Sequence, residues 1–285
     1  MGAYWFRNNS STCEEWTVCE EKFVRDRVGS GSYWQMNTNG FYVSTGHIMV
    51  DLNVSLETSD SPISEAEEYI KRGCTLLLIQ HLVTSIRHFR ELYDTFLERL
   101  DGLPIDFMVI PVIKAMAVKP EMVRYFSRRG CPFLCVVVNS QDELAEVKWE
   151  WLVQAQSHKR IPFTLIVKDQ KNKSNNYLEM WSSLRKQYGI IGLTDIQDDE
   201  MVTAQNLRDS GIFPSKGGFQ PGGQADYNLY LIDEGTTFDE QRNFRYHNSV
   251  PKVTVMNGKI KQVNQKVVNY DPGSHLKVKI HKHFV

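Results

Sequence analysis

Six nearly continuous apolar runs recur through the middle of the chain, and their spacing limits the possible folds more than any other feature. They start at His47 (HIMVDLNV), Cys74 (CTLLLIQHLV), Ile105 (IDFMVIPVI), Pro132 (PFLCVVV), Pro162 (PFTLIV) and Gly189 (GIIGLT), with successive starts 27–31 residues apart. Runs this apolar read as strands buried on both faces. Helical patterns lie between them. Residues 84–100 put Ile86, Phe89, Tyr93, Phe96 and Leu97 on one face, residues 119–129 carry Met122, Val123 and Phe126, and residues 141–155 carry Leu144, Val147, Trp151 and Leu152. Strand and helix alternating at a fixed interval predict βα units on a parallel sheet.

The flanks differ. Residues 1–46 read as short strands separated by turn residues, notably Gly29-Ser30-Gly31-Ser32 and Asn37-Thr38-Asn39-Gly40. The tail reads alike, with strands over 227–232 and 252–256 and a hairpin at Asn257-Gly258 leading into 259–263. Neither flank is long enough for a comfortable domain alone. The expected organisation is a composite β-sandwich domain from residues 1–46 and 213–285 beside a βα core over residues 47–212.

Composition excludes several classes. The 285 residues carry a formal net charge of -1, which argues against broad phosphate-backbone binding and so against a nucleic-acid partner. No apolar run approaches the ~20 residues that span a bilayer, so no membrane partner is expected. Five cysteines (Cys13, Cys19, Cys74, Cys131, Cys135) form no C-x-x-C pair, and an odd number fits free thiols in a reducing cytoplasm. The Gly29–Ser32 loop has neither the P-loop lysine nor the dinucleotide fingerprint. His281-Lys282-His283 lies among lysines that repel a cation, and reads as a solvated basic tail.

The turn motifs at both ends carry a family resemblance. YWFRN, WTVCEEKFV and WQMNTNGFYVSTGHIMVD at the start, and Phe213-Pro214-Ser215-Lys216-Gly217, Gln220-Pro221-Gly222, Ala225-Asp226, Leu231-Ile232-Asp233 and VTVMNGK in the tail, resemble the amidohydrolase superfamily, the dihydroorotase and imidazolonepropionase type of metal hydrolase. The resemblance implies an α/β fold: a (β/α) TIM-like barrel with a β-sandwich built from both termini. Here the barrel must be reduced. Residues 47–212 span 166 residues, whereas an eight-unit barrel takes ~250, so about two units are missing.

The resemblance also implies where chemistry would sit. The family's first metal ligands are a His-x-His pair at the end of strand one. Counting from Gly46 places Asp51 and Asn53 there, or Asn53 and Ser55 with a two-residue shift, and neither option supplies a histidine. Positions matching the family's later ligands are His81, Lys114, Asn139, Lys168 and Asp169. Asp195 stands near the family's proton-accepting aspartate, but Thr194-Asp195-Ile196-Gln197 also spells a helix capping box, the favoured reading. No cofactor is expected. If the chemistry survives, Asp51, His81 and Lys168 are the candidate ligands for zinc or another divalent metal, with Asp195 catalytic and Asn53, Lys114, Asn139 and Asp169 lining the pocket.

The sequence therefore points to an amidohydrolase-like protein that has lost metal-dependent hydrolysis and binds a small-molecule ligand or a partner. The alternative is a metal-dependent hydrolase of cyclic amides or other non-peptide C–N bonds with an unusual ligand set. A barrel short of two units would expose sheet edges. This predicts a homodimer through the open side, near Trp149, Trp151 or Trp181.

Overall fold

The computed structural model describes residues 3–7, 14–25, 33–52, 56–157, 159–167, 175–194, 196–232 and 250–278. The chain opens with β1 (Tyr4–Arg7), β2 (Glu15–Cys19), β3 (Lys22–Val24) and β4 (Trp34–Gln35), which form one sheet in the order β3-β2-β1-β4. Next, β5 (Phe41–Thr45) leads into β6 (His47–Asp51). From there strands and helices alternate: α1 (Pro62–Lys71), β7 (Cys74–Leu82), α2 (Phe89–Arg99), β8 (Asp106–Lys114), α3 (Pro120–Arg129), β9 (Leu134–Val138), α4 (Gln141–Glu146), α5 (Trp149–Gln156), β10 (Phe163–Val167) and α6 (Asn175–Tyr188). After α7 (Ala204–Asp209) come β11 (Tyr227–Leu231), β12 (Val253–Met256), β13 (Lys259–Val263) and β14 (Lys266–Val267).

Strands β6 to β10 lie side by side in chain order and pair in parallel, as the spacing of the apolar runs predicts. Successive side chains on a strand face opposite ways, and two separate cores result. Met49, Leu77, Ile79, Phe107, Val109, Leu134 and Val136 pack with the helices. Ile48, Val50, Leu76, Leu78, Met108, Ile110, Val112, Cys135 and Val137 line the other, concave side. Proline in the first turn of α1 and α3 suits those positions, where no intrahelical N–H is needed. The helix expected over residues 141–155 is two, because Val147 is extended at φ -63° and ψ 132°. Trp149 and Trp151 separate as their spacing in a helix requires: Trp149 is buried against Trp181, and Trp151 is 62% exposed.

The sixth apolar run contributes only a parallel bridge, Phe163 to Gly192. Buried Gln156 holds it instead, donating to the carbonyls of Ile161 and Ile191 and accepting from the Ile191 amide. The following segment then crosses to the far edge of the sheet. There the Val50 and Val202 amides donate to the Glu200 and Ile48 carbonyls, and the Asp199 amide donates to Val50 O. Both edges of the curled parallel sheet thus carry partners from the chain itself. The β6 edge expected to be exposed is paired with residues 199–202, whereas on the β10 edge residues 191–193 bond Phe163 alone among the described residues, and the rest of that strand has no neighbour there. Inside the curl, Leu193, Val202, Leu207 and Ile212 fill the concave face.

The capping box read at Thr194 does not start a helix. Residues 196–202 are irregular, and the N-cap is Thr203, whose hydroxyl accepts from the Asn206 amide at 3.2 Å. Thr194 serves α7 through its carbonyl, which accepts from Asn206 Nδ2.

Strand β5 pairs antiparallel with β11 in a sheet ordered β14-β13-β12-β11-β5, so strands from both ends of the chain share it. Phe6, Trp16, Val18, Phe23, Val43, Tyr227, Leu229 and Val255 form one apolar cluster between this sheet and the β1–β4 sheet. The hairpin at Asn257-Gly258 has φ of 52° and 71°, the left-handed pair that a two-residue turn demands.

A buried charge cluster ties these parts to the amino end of the parallel sheet. Lys216 pairs with Asp106 at 2.8 Å and with Asp226, and all three side chains are almost fully buried. Asp106 also accepts from Asn257 Nδ2 and the Ser274 amide, and Asp226 from the Asn257 amide. Burial opposes the Lys216 charge, but Asp226 and Asp106 outweigh it and hold the ammonium pKa above its ordinary value.

Beyond β14 the chain runs in parallel beside the start of β8. The Phe107 amide donates to Ser274 O and the Leu276 amide to Phe107 O, while the His275 ring stacks on Phe107. At Gly273 a Cβ would lie 2.1 Å from the carbonyl carbon of Ile105. Gly273→Ala is therefore expected to lower stability by about 1–3 kcal/mol through overpacking. Chemical denaturation checks this: an unchanged midpoint would mean that the segment shifts without cost.

Candidate functional site at the carboxyl end of the parallel sheet

Sites in parallel α/β sheets form where the strands end at their carboxyl termini. Asp51, His81, Lys114 and Asn139 stand there, at the ends of β6 to β9. Asn53, Ser55, Lys168, Asp169 and Asp195 lie outside the described residues.

Strand parity separates the four. Asp51 shares the face of Met49, and His81 the face of Leu77 and Ile79, so both point into the helix layer. Asp51 is fully buried, and its Oδ2 accepts from the Leu56 amide at 2.8 Å. Its Oδ1 is buried and makes no hydrogen bond of ordinary geometry, although the Tyr69 side chain interacts with the carboxyl and opposes the rise of its pKa. Burial pushes its carboxyl pKa up to about 7; the Leu56 hydrogen bond opposes the rise, and the charges of Asp198 and Glu65 add to it. His81 lies between Phe96 and Tyr93 of α2, and its Nδ1 meets Glu57 Oε1 at 3.0 Å. A carboxylate only accepts, so Nδ1 carries the proton. Glu57 Oε2 accepts from the Leu82 amide at 2.9 Å, and His81 Nε2 is buried without a partner. Asp51 and His81 therefore anchor adjacent residues, Leu56 and Glu57, of the β6–α1 connection.

Lys114 and Asn139 are exposed. Asn139 turns to α4, where its amide and Nδ2 donate to the Glu143 carboxylate, and these bonds lower the Glu143 pKa. Glu57 was not among the residues singled out from the sequence. It sits in a short polar connection with no motif spacing. The buried triad was half visible, since Lys216 and Asp226 belong to the turn motifs. Asp106, a lone acid opening an apolar run, was the signal that could have completed it.

The donor set does not fit the metal centre implied by the family resemblance. Residues of β6 and just beyond it that share the concave face are Ile48, Val50 and Leu52, none a ligand. Among the described residues no three His, Cys, Asp or Glu side chains are grouped to hold an ion.

A curled parallel sheet with helices outside, joined to antiparallel sheets, defines an α/β half-barrel scaffold of the TIM-like type. Its solved neighbours belong to the amidohydrolase superfamily, so the chain resembles that superfamily in fold as well as in its turn motifs. The dihydropyrimidinase from Brevibacillus agri NCHU1002 superposes with a TM-score of 0.62 at 12% identity, covering 97% of this chain and 98% of that one. The D-hydantoinase from Bacillus sp. AR9 gives 0.60 at 10% identity over 98% and 100%. A triazine hydrolase variant gives 0.57 at 11% identity over 94% and 96%. No family model matches the sequence, and no curated protein matches it.

Proposed function

We propose that this chain is a non-catalytic binding or structural protein on an amidohydrolase scaffold, with residues 47–212 a reduced barrel and residues 1–46 and 213–285 one composite β-sandwich domain. The observation that carries this reading is the concave face: where the family places strand-one ligands, β6 presents apolar side chains, and the 193–212 segment packs over them. Asp51 and His81 are turned to the other side and hold the β6–α1 connection. The expected result is a purified protein with no stoichiometric metal and no turnover of dihydroorotate, hydantoins or N-acetylated substrates. Elemental analysis with these assays tests it. One or two equivalents of zinc, manganese or iron, lost in Asp51→Asn or His81→Asn, would overturn it.

A second reading, a hydrolase with an unusual ligand set, draws on one observation: Asp51 Oδ1 and His81 Nε2 are both buried without a hydrogen bond of ordinary geometry, as ligand atoms of an absent group would be.

Among the described residues no helix is long and apolar enough to cross a membrane. Cys19, Cys74, Cys131 and Cys135 are free thiols, which supports a reducing cytoplasm. For the homodimer, the proposed contact is the open side at β10 together with exposed Trp151. A monomer of 33.0 kDa by light scattering would exclude it.

A further inference from the structure

We propose that the cleft at the amino end of β9 is a binding pocket for a phosphoryl group carried on a small molecule. The cleft has a volume of about 340 Å³ and is lined by Ser127, Arg128, Arg129, Lys159 and Lys277 around the Gly130-Cys131-Pro132 turn. That volume is within the ~300–1,000 Å³ range of small-molecule sites. Four cations and no acid line it. Arg129 is neutralised by Asp94, whereas Arg128, Lys159 and Lys277 have no acidic partner among the described residues.

The bland explanation covers only part of this set. Arg128 and Arg129 end α3, where cations complement the negative end of the helix dipole. Lys159 and Lys277 come from two other segments, after α5 and after β14, and the fold converges them on the same cleft. Bringing like charges together costs free energy that an anion recovers. Ser127 Oγ and Arg129 Nε are buried behind the wall and are not open to the cleft, so the groups that face a ligand are exposed Arg128, Lys159 and Lys277. The positive field reaches beyond the cleft: after burial, Lys277 and Arg129 push the His275 pKa down to about 4. Arginine and lysine donors around a small cleft suit the three acceptor oxygens of a phosphoryl group.

The pocket is at the opposite end of the sheet from Asp51 and His81, so this proposal stands or falls apart from the one above. The test is calorimetric titration of the full chain with inorganic phosphate and with phenyl phosphate, against sodium chloride of matched ionic strength. The wild type is expected to bind both phosphates. Lys159→Gln with Lys277→Gln, both at exposed positions, is expected to weaken binding about tenfold or more while circular dichroism stays unchanged. No heat beyond the chloride control, or equal affinity in the double variant, would overturn the proposal. Sedimentation with vesicles containing phosphatidic acid separates the sources: capture by vesicles without binding of either soluble phosphate would overturn it in favour of a membrane surface.

Discussion

Replacing Lys216 with methionine is expected to cost about 3–5 kcal/mol of folding stability, because it leaves buried carboxylates without their counter-ion. At roughly 2–4 °C per kcal/mol for a chain near this size, the melting temperature should fall by about 10 °C. The variant also carries a pH signature. Burial already raises the Asp226 carboxyl pKa against the opposing charge of Lys216; with the ammonium gone that opposition is lost, so its folded pKa lies further above the unfolded one. Stability then falls as pH rises above the ordinary carboxylate range, and the deficit against wild type should be larger at pH 8 than at pH 5. Thermal melts of both proteins at the two pH values check this. A deficit below about 1 kcal/mol at pH 8 would show that water reaches the cluster and screens it.

The second large effect concerns Asp51, whose carboxyl pKa is raised from about 4 to about 7 by burial. The folded state then holds a proton that the unfolded chain has already released. Between pH 4 and 7 the folded form binds more protons, so stability falls with rising pH through that window and levels off above it. At about 1.4 kcal/mol per pH unit, the full cost of ionising Asp51 is up to about 4 kcal/mol. Asp51→Asn keeps an acceptor for the Leu56 amide and cannot ionise. Above pH 7.5 it is expected to be more stable than wild type by about 1–3 kcal/mol. Urea titrations from pH 4 to 8 give the comparison. Curves that run parallel for the two proteins would mean that Asp51 ionises at no cost in the fold.

The regular interval of the apolar runs made the parallel sheet legible, and the Asn257-Gly258 turn did the same for the last hairpin. What it did not reveal was direction. A strand such as 76–79 is apolar at every position, so nothing in it marks which side chains face the helices. A shift of one residue turns every side chain to the opposite face. Asp51 was placed by counting from Gly46, yet Leu52 is the residue aligned with the concave side. Edge closure was hidden for a different reason. Residues 198–200 read Asp-Asp-Glu, a loop by composition; Asp199 and Glu200 hold the sheet edge through main-chain groups that any sequence supplies, and Asp198 through Oδ1, which accepts from the Leu52 amide. The split of α4 from α5 turns on one extended residue, Val147, which interrupts no hydrophobic pattern.

The pairing of β5 with β11 sets a schedule for biosynthesis. Asn228 and its partner carbonyl at Thr45 are 183 residues apart in the chain. A ribosome adding ~5–20 residues per second leaves roughly 10–40 s between the emergence of the two. During that interval β5 has a bare flank, and Asp106 waits for both Lys216 and Asp226. Nascent chains should therefore depend on holding factors until the last quarter of the polypeptide has left the exit tunnel, and a stall before residue 226 should be followed by aggregation or proteolysis rather than by a stable half-structure.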